Sequence, residues 1–340
     1  MKNMNRNFTF FLAAFLIILS HGCKKPGWVI QESGTTNNLL GVWFTDLNTG
    51  TVIGVGGTFI HTTDGGNKWE IKGSGKDPVL WSIRFCDSLN GWIVGDGGTI
   101  GHTTNGGVTW ALQSSGTSED LIRIFCLDKN IAWAVGNNGT ILHTTNGGET
   151  WSRQTSLVMN TFWDIFFINP DTGTAVGGGC NFCFGPPLYG GYILHTTDGG
   201  DTWTIQKHDT TMFGYYGVFL TNAGTGTVVG AKGTILSTTD GGTTWNKQLS
   251  GTTSDLRDVL FINADTGTVV GGNVELADLS FGGTILRTTN GGATWIKQEI
   301  PTQKAIFEVF FTDANTGTAV GFGGTILRTI SGGMPMKKKL

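Results

Sequence analysis

The sequence predicts an all-β fold: a seven-bladed β-propeller of four-stranded blades, closed by an N-terminal strand that completes the last blade. Three observations predict it. A short motif built on Asp/Asn-Gly-Gly and a Trp recurs six times, with a seventh, truncated copy. The copies start 41, 41, 52, 42, 50 and 41 residues apart, and a period near 41 fits one four-stranded blade. Among 340 residues, Gly (55), Phe (21) and Trp (12) are abundant and only 14% are charged, a composition of tight turns filled by aromatic rings.

The motif is clearest at Gly233–Trp245, GTILSTTDGGTTW. Thr234, Ile235 and Leu236 suit a buried strand. Asp240-Gly241-Gly242 then breaks it. The Asp side chain can accept nearby backbone N–H groups, and Gly takes positive φ without a Cβ clash, so a hairpin closes here. Trp245 opens the return strand and covers the turn. The other copies place Asp64, Asn105, Asn146, Asp198 and Asn290 at the position of Asp240. All six read as structural turn residues rather than catalytic ones.

In chain order, the N-terminus comes first. Lys2 and Arg6 precede an apolar run, Phe8–Leu19, too short for a stable membrane helix. Leu19-Ser20-His21-Gly22-Cys23 follows and resembles a bacterial lipoprotein box, with Cys23 as the lipidated residue. Residues 1–22 are therefore expected to be a signal peptide and 23–26 a lipid-anchored tether. A plain secretory signal is the alternative, and both export the protein to the cell envelope or beyond. Without residues 1–22 the chain carries 20 basic and 25 acidic side chains, a balance that does not suit nucleic acid. The basic run at the other end, within 334–340, is expected to be a solvated tail.

Residues 27–333 form the ring. Each repeat reads as an inner strand A, a strand B ending in Val-Gly, a Gly-Thr-Ile-Leu strand C, the Asp box and an outer strand D starting at Trp. In blade 2 these are Leu80–Cys86, Gly91–Gly95, Gly98–Thr104 and Trp110–Gln113. The C strands are predicted to begin at Gly57, Gly98, Gly139, Gly191, Gly233, Gly283 and Gly324. The last box, RTISGG at 328–333, has no Trp strand after it, whereas Gly27–Gln31 (GWVIQ) is an orphan with the pattern of an outer strand. Closure of the seventh blade by this strand satisfies an open edge.

Two blades carry insertions between strands B and C. Blade 4 holds CNFCFGPPLYG, 11 residues longer than its counterparts, and blade 6 holds NVELADLSFG, 9 longer. Both fall on the face opposite the Asp boxes. Phe182, Phe184, Leu188 and Tyr189 in the first, Leu276 and Phe281 in the second, and Tyr215 and Tyr216 between them are expected to form a contact crescent.

The fuller unit, FINADTGTVVGG…GTILRTTNGGATW at 261–295, resembles the photosystem II assembly and stability factor family of exported seven-bladed propellers. The Asp boxes resemble bacterial neuraminidase repeats. The first resemblance implies a protein-binding or assembly scaffold, with basic residues of one face engaging the partner. Arg84, Arg123 and Arg257 are basic residues on inner strands here, and Arg123 and Arg257 are carried as partner-binding candidates. The second keeps a glycan-active enzyme, or a glycan-binding module without turnover, as the alternative.

A sialidase would need an arginine triad, a Tyr–Glu nucleophile pair and an Asp acid; the Arg-Ile-Pro signature of that family is missing. Arg123, Asp164, Asp258 and Glu308 occupy equivalent positions on inner strands and predict a ring of charge near the axis. Asp164 and Asp258 are the carboxylates a glycosidase would use; ion pairing along a solvated channel is the structural reading. His61, His102, His143 and His195 recur one per blade, too far apart to share an ion, so no metal and no cofactor is expected. Cys86 and Cys126 are expected to pack as small apolar groups, and Cys180 and Cys183 to form a loop disulfide. A monomer is expected.

Overall fold

The structure, a computed structural model, describes residues 27–73, 78–179, 190–211, 214–273 and 282–335. Seven antiparallel four-stranded sheets surround one axis. Blade 1 comprises Leu39–Phe44, Gly50–Gly54, Thr58–Thr62 and Glu70–Ile71; blade 2, Leu80–Phe85, Gly91–Gly95, Thr99–Thr103 and Ala111–Gln113; blade 3, Leu121–Cys126, Ala132–Gly136, Ile141–Thr144 and Ser152–Arg153. Blade 4 comprises Phe162–Phe167, Gly173–Gly178, Gly191–Thr196 and Thr204–Asp209; blade 5, Tyr215–Leu220, Gly226–Gly230, Thr234–Thr238 and Asn246–Gln248; blade 6, Leu256–Phe261, Gly267–Gly271, Thr284–Thr288 and Ile296–Lys297. Blade 7 comprises Ile306–Phe311, Thr316–Gly321, Thr325–Ile330 and, from the other end of the chain, Val29–Gln31.

The predicted closure is present. Val29, Ile30 and Gln31 pair antiparallel with Arg328, Leu327 and Ile326. The Trp that the seventh box lacks in sequence is supplied by Trp28, fully buried against Phe311. Five of the predicted C strands start one residue late and that of blade 3 two late, at Ile141; at Thr58, Thr99, Thr234 and Thr325 the preceding Gly closes a three-residue turn. The middle residue of that turn is left-handed. It is Gly in three blades and Lys232, at φ 54°, in the fourth.

Each Asp box works as the sequence suggests. In blade 5, Thr238 Oγ1 donates to Asp240 Oδ1 (2.8 Å) and accepts Gly242 N–H (2.9 Å), while Asp240 Oδ1 accepts Thr244 N–H (2.9 Å). Asp64, Asn105, Asn146, Asp198 and Asn290 repeat this with their own Thr. One A–B turn carbonyl beside each box accepts its first Gly N–H, for example Gly224 O from Gly241, so boxes and A–B turns share one face. The B–C turns and the entries into strand A form the other.

A glutamine clamp joins the blades at their outer ends. The residue three after the outer-strand Trp is Lys72 in blade 1 and a glutamine in the other six, Gln31, Gln113, Gln154, Gln206, Gln248 or Gln298. Its Oε1 accepts the indole N–H of the next blade's Trp: Gln31 from Trp69 (3.2 Å), Gln206 from Trp245 (3.3 Å), Gln248 from Trp295 (3.0 Å). Its Nε2 donates to a carbonyl of that blade's box, as Gln206 does to Gly241 (2.7 Å).

The four box histidines are cross-strand packing residues within their own blades. His102 and His143 stack on Trp92 and Trp133 at 4.3 and 4.5 Å, and His61 and His195 lie beside Thr51 and Thr174. Burial lowers the pKa of all four. One expectation is corrected. Cys86 and Cys126 do not pack as free thiols but form a disulfide between blades 2 and 3, Cα–Cα 5.7 Å. Cys126 ends its inner strand and Cys86 directly follows the equivalent strand of the adjacent blade, at a separation a disulfide spans.

Candidate partner-binding funnel

The inner strands are built alike, and their side chains form three layers along the axis. In every blade the A–B pairing slips by one residue, at Leu40, Trp81, Ile122, Trp163, Tyr216, Arg257 and Phe307. A bulge leaves the extra residue outside the regular alternation and re-aims its side chain. All seven turn toward the axis on the face opposite the Asp boxes. With Asn38, Val55 and Arg123 they line an open cavity of about 300 Å³. Larger grooves of about 600 and 570 Å³ lie at the outer rim, beside Glu32 and beside His143.

The funnel wall is fixed by hydrogen bonds that take up its polar tips. Trp81 Nε1 donates to Asp96 Oδ1 (2.6 Å) and Trp163 Nε1 to Gly178 O (2.8 Å). What these rings offer the cavity is therefore apolar surface. Tyr216 stands edge-on to Trp163 (5.8 Å, 90°), and the Arg257 guanidinium lies over its ring at 5.0 Å. Burial, with Asp255 adding to it, pushes the Tyr216 hydroxyl up to about 12. Arg257 reaches Asp255 only at 3.6 Å, and its Nε has no partner.

The middle layer is the predicted ring of charge. Arg123 donates to Asp164 Oδ1 (3.0 Å), Asp258 Oδ1 (2.9 Å) and Glu308 Oε1 (2.5 Å). The remaining carboxylate oxygens accept backbone N–H groups of the next blade: Asp164 from Val218 (2.8 Å), Asp258 from Val309 (3.0 Å), Glu308 from Val42 (2.7 Å). All three carboxylates are buried, so the solvated channel expected from sequence is replaced by a plug. Burial would lower the Arg123 pKa, but Glu308, Asp164 and Asp258 outweigh it and raise it. Burial raises Asp164, against the opposing pull of Arg123, and brings Glu308 up to about 7.

The third layer closes the Asp-box end. Arg84 is sandwiched between Trp43 (4.9 Å) and Phe125 (4.8 Å) within a ring that also holds Phe166, Phe219 and Phe310. Burial first, then Arg123, lowers its pKa to about 10. The three arginines thus sit at three depths: Arg257 in the funnel wall, Arg123 in the plug, Arg84 below it. They do not converge on one anion as a sialidase triad would. Asp164 and Asp258 share one guanidinium and hold backbone amides, which leaves neither placed as a free acid or base.

Of the expected contact residues, Tyr216, Arg257 and Arg123 meet in the funnel. Tyr215 does not. It is the residue before the bulge, faces the sheet interior and is fully buried against Val176 and Ile193. Phe182, Phe184, Leu188, Tyr189, Leu276, Phe281, Cys180, Cys183 and Cys23 lie outside the described residues. Sequence reasoning missed Leu40, Trp81, Ile122, Trp163 and Phe307. The available signal was their fixed place, two residues before Val42, Ile83, Ile124, Ile165 and Val309, equivalent to that of Tyr216 and Arg257.

With this geometry in place, the likenesses to known proteins can be set beside it. The family model described as photosynthesis system II assembly factor YCF48 matches two overlapping segments, residues 22–114 and 73–160. A solved structure of YCF48 bound to a D1 peptide is 21% identical, covers 90% of this chain and 97% of its own, and superposes with a TM-score of 0.70. YCF48 from Cyanidioschyzon merolae is 18% identical over 89% of this chain and 98% of its own, TM-score 0.68. The WD40 propeller domain of Doa1 is 13% identical over 89% and 96%, TM-score 0.63. No curated protein matches the sequence. The chain resembles the photosystem II assembly factor-like propellers, in sequence over residues 22–160 and in fold around the ring.

Proposed function

We propose that this YCF48-like propeller is an exported, lipid-anchored scaffold that binds a segment of a protein partner at the mouth of the axial funnel. The observation that carries the reading is the bulge ring: each of the seven blades contributes one side chain to a single apolar, aromatic cavity with two arginines at its wall and floor. Apolar cavities with a few placed polar groups are the usual form of a recognition site. A relative of the same fold has been solved with a peptide bound, which supports a protein rather than a glycan as the partner.

The two blade insertions spring from the same face. The first is rooted at Gly178, which Trp163 holds, and the second at Asn273, whose Oδ1 accepts the backbone N–H of Asp255 beside Arg257.

The test is photo-crosslinking from the Tyr216 position in intact cells, with recovery compared for Trp81→Ala and Trp163→Ala. Loss of the crosslinked partner in both variants, at unchanged melting temperature, is expected. Equal recovery would sink the reading, and specific retention on a glycan array abolished by the same substitutions would replace it with a glycan-binding one. Labelling with a palmitate analogue, lost in Cys23→Ser, tests the anchor.

A further inference from the structure

We infer that the joint between blades 1 and 2 is the soft point of the ring, and that the Cys86–Cys126 disulfide is a redox-set clamp compensating for it. Blades are joined at two radii. Near the axis, a side chain of one blade takes a backbone N–H of the next; at the rim, a Gln takes the next blade's Trp. The closure blade has both: Glu308 holds Val42, and Gln31 holds Trp69.

Blade 2 has neither on its blade 1 side. The axial position of blade 1 is Gly41, which has no side chain to offer Ile83. The rim position is Lys72, where the other blades have Gln. The consequence is visible: Trp110 Nε1 is buried with no partner. Among the described residues this is the one joint that lacks both clamps; the blade 5–6 joint, with Gly217 at the axis, keeps Gln248–Trp295.

On its other side blade 2 holds blade 3 at the axis only through Ser82 Oγ and Ile124 N, at 3.4 Å. There the disulfide adds a covalent bond between the two inner strands. A cross-link limits how far blade 2 can part from the ring even when its blade 1 side opens, which is how such a bond stabilises a fold. The two thiols lose two protons and two electrons to a disulfide donor, which is reduced to two thiols. In the reverse exchange a thiolate attacks the sulfur of Cys86, the more exposed of the pair.

The experiment uses the full chain with Cys180→Ser and Cys183→Ser, so that reductant acts on this bond alone. Hydrogen exchange is followed with and without a phosphine reductant. Reduction is expected to raise exchange in Gly91–Gly95 and Thr99–Thr103 by about tenfold or more relative to blade 5. Lys72→Gln, which restores the missing acceptor, is expected to reverse much of that rise in the reduced protein. Peptide mapping without reductant checks the bond itself. The inference is overturned by free thiols at both cysteines after isolation from an oxidising compartment, by reduced protein that opens first at blade 7, or by Lys72→Gln slowing blade 5 as much as blade 2.

Discussion

Trp28 Nε1 donates to Gln298 Oε1 at 2.7 Å, a buried bond between residues 270 apart in the chain. Gln298 Nε2 also donates to Gly332 O at 2.8 Å. One amide therefore ties the N-terminal strand, the blade 6 outer strand and the final turn together. Trp28→Ala removes a fully buried indole and is expected to cost about 3–5 kcal/mol. Gln298→Leu strands two buried groups and is expected to cost about 1–3 kcal/mol each way it is partitioned. Urea denaturation of the two variants checks both; a Trp28→Ala variant as stable as the parent would remove closure from the account.

The axial plug predicts an asymmetry. Arg123→Met leaves three buried carboxylates without their guanidinium and is expected to destabilise by about 3–5 kcal/mol. Glu308→Gln leaves Arg84 and Arg123 balanced by Asp164 and Asp258, and is expected to be far milder at neutral pH.

Glu308 also sets a pH dependence. Its folded value, about 7, lies above the ordinary 4.5, so the folded state holds a proton that the unfolded chain releases first. The stabilisation is complete below pH 4.5 and is lost as the pH rises through 7. Melting temperature should fall across that window in the parent and fall less in Glu308→Gln. A parallel pair of profiles would refute the assignment.

Adjacent tyrosines should behave in opposite ways. Tyr215 is buried and its hydroxyl has no partner, so Tyr215→Phe is expected to be neutral or stabilising by up to about 1 kcal/mol. Tyr216→Ala is expected to leave folding largely intact and weaken partner recovery by crosslinking.

The Asp boxes differ only in acid. Asp198 and Asp240 are held at about 2 by their Thr side chains and backbone N–H groups. Their contribution is present above the ordinary value of 3.8 and lost as pH falls through 2. Asp240→Asn should match the parent at pH 7, since Asn105, Asn146 and Asn290 make the same bonds, and should be less sensitive below pH 3. Equal acid sensitivity in the two proteins would show that the boxes do not set it.

Much of the ring was legible because its devices are local. The Asp-Gly-Gly turn, the Trp after it and the 41-residue spacing each occupy a few consecutive residues. The orphan GWVIQ could be placed because it matched an outer strand and one was missing. The funnel was not legible, since a bulge shifts which neighbour faces the axis and Tyr215 and Tyr216 look alike in sequence. The disulfide was missed for a geometric reason. Neighbouring blades come close at the ends of their inner strands, where Cys126 meets Cys86, one residue past its own equivalent Phe85, and radius does not appear in a linear spacing. Residues 40 apart near the axis are near neighbours.

The slip in every inner strand separates two duties that a regular strand would bind together. The residues on either side of each slip, such as Phe162 and Asp164, are committed to the sheet interior and the plug. The one between them answers to neither. Seven such sites can be exchanged one at a time, as the present mixture of Leu, Trp, Ile, Tyr, Arg and Phe illustrates, while the ring beneath stays the same. The architecture thus behaves as a keyring whose teeth touch mainly at Trp163, Tyr216 and Arg257, and substitutions at the mouth alone would recut it.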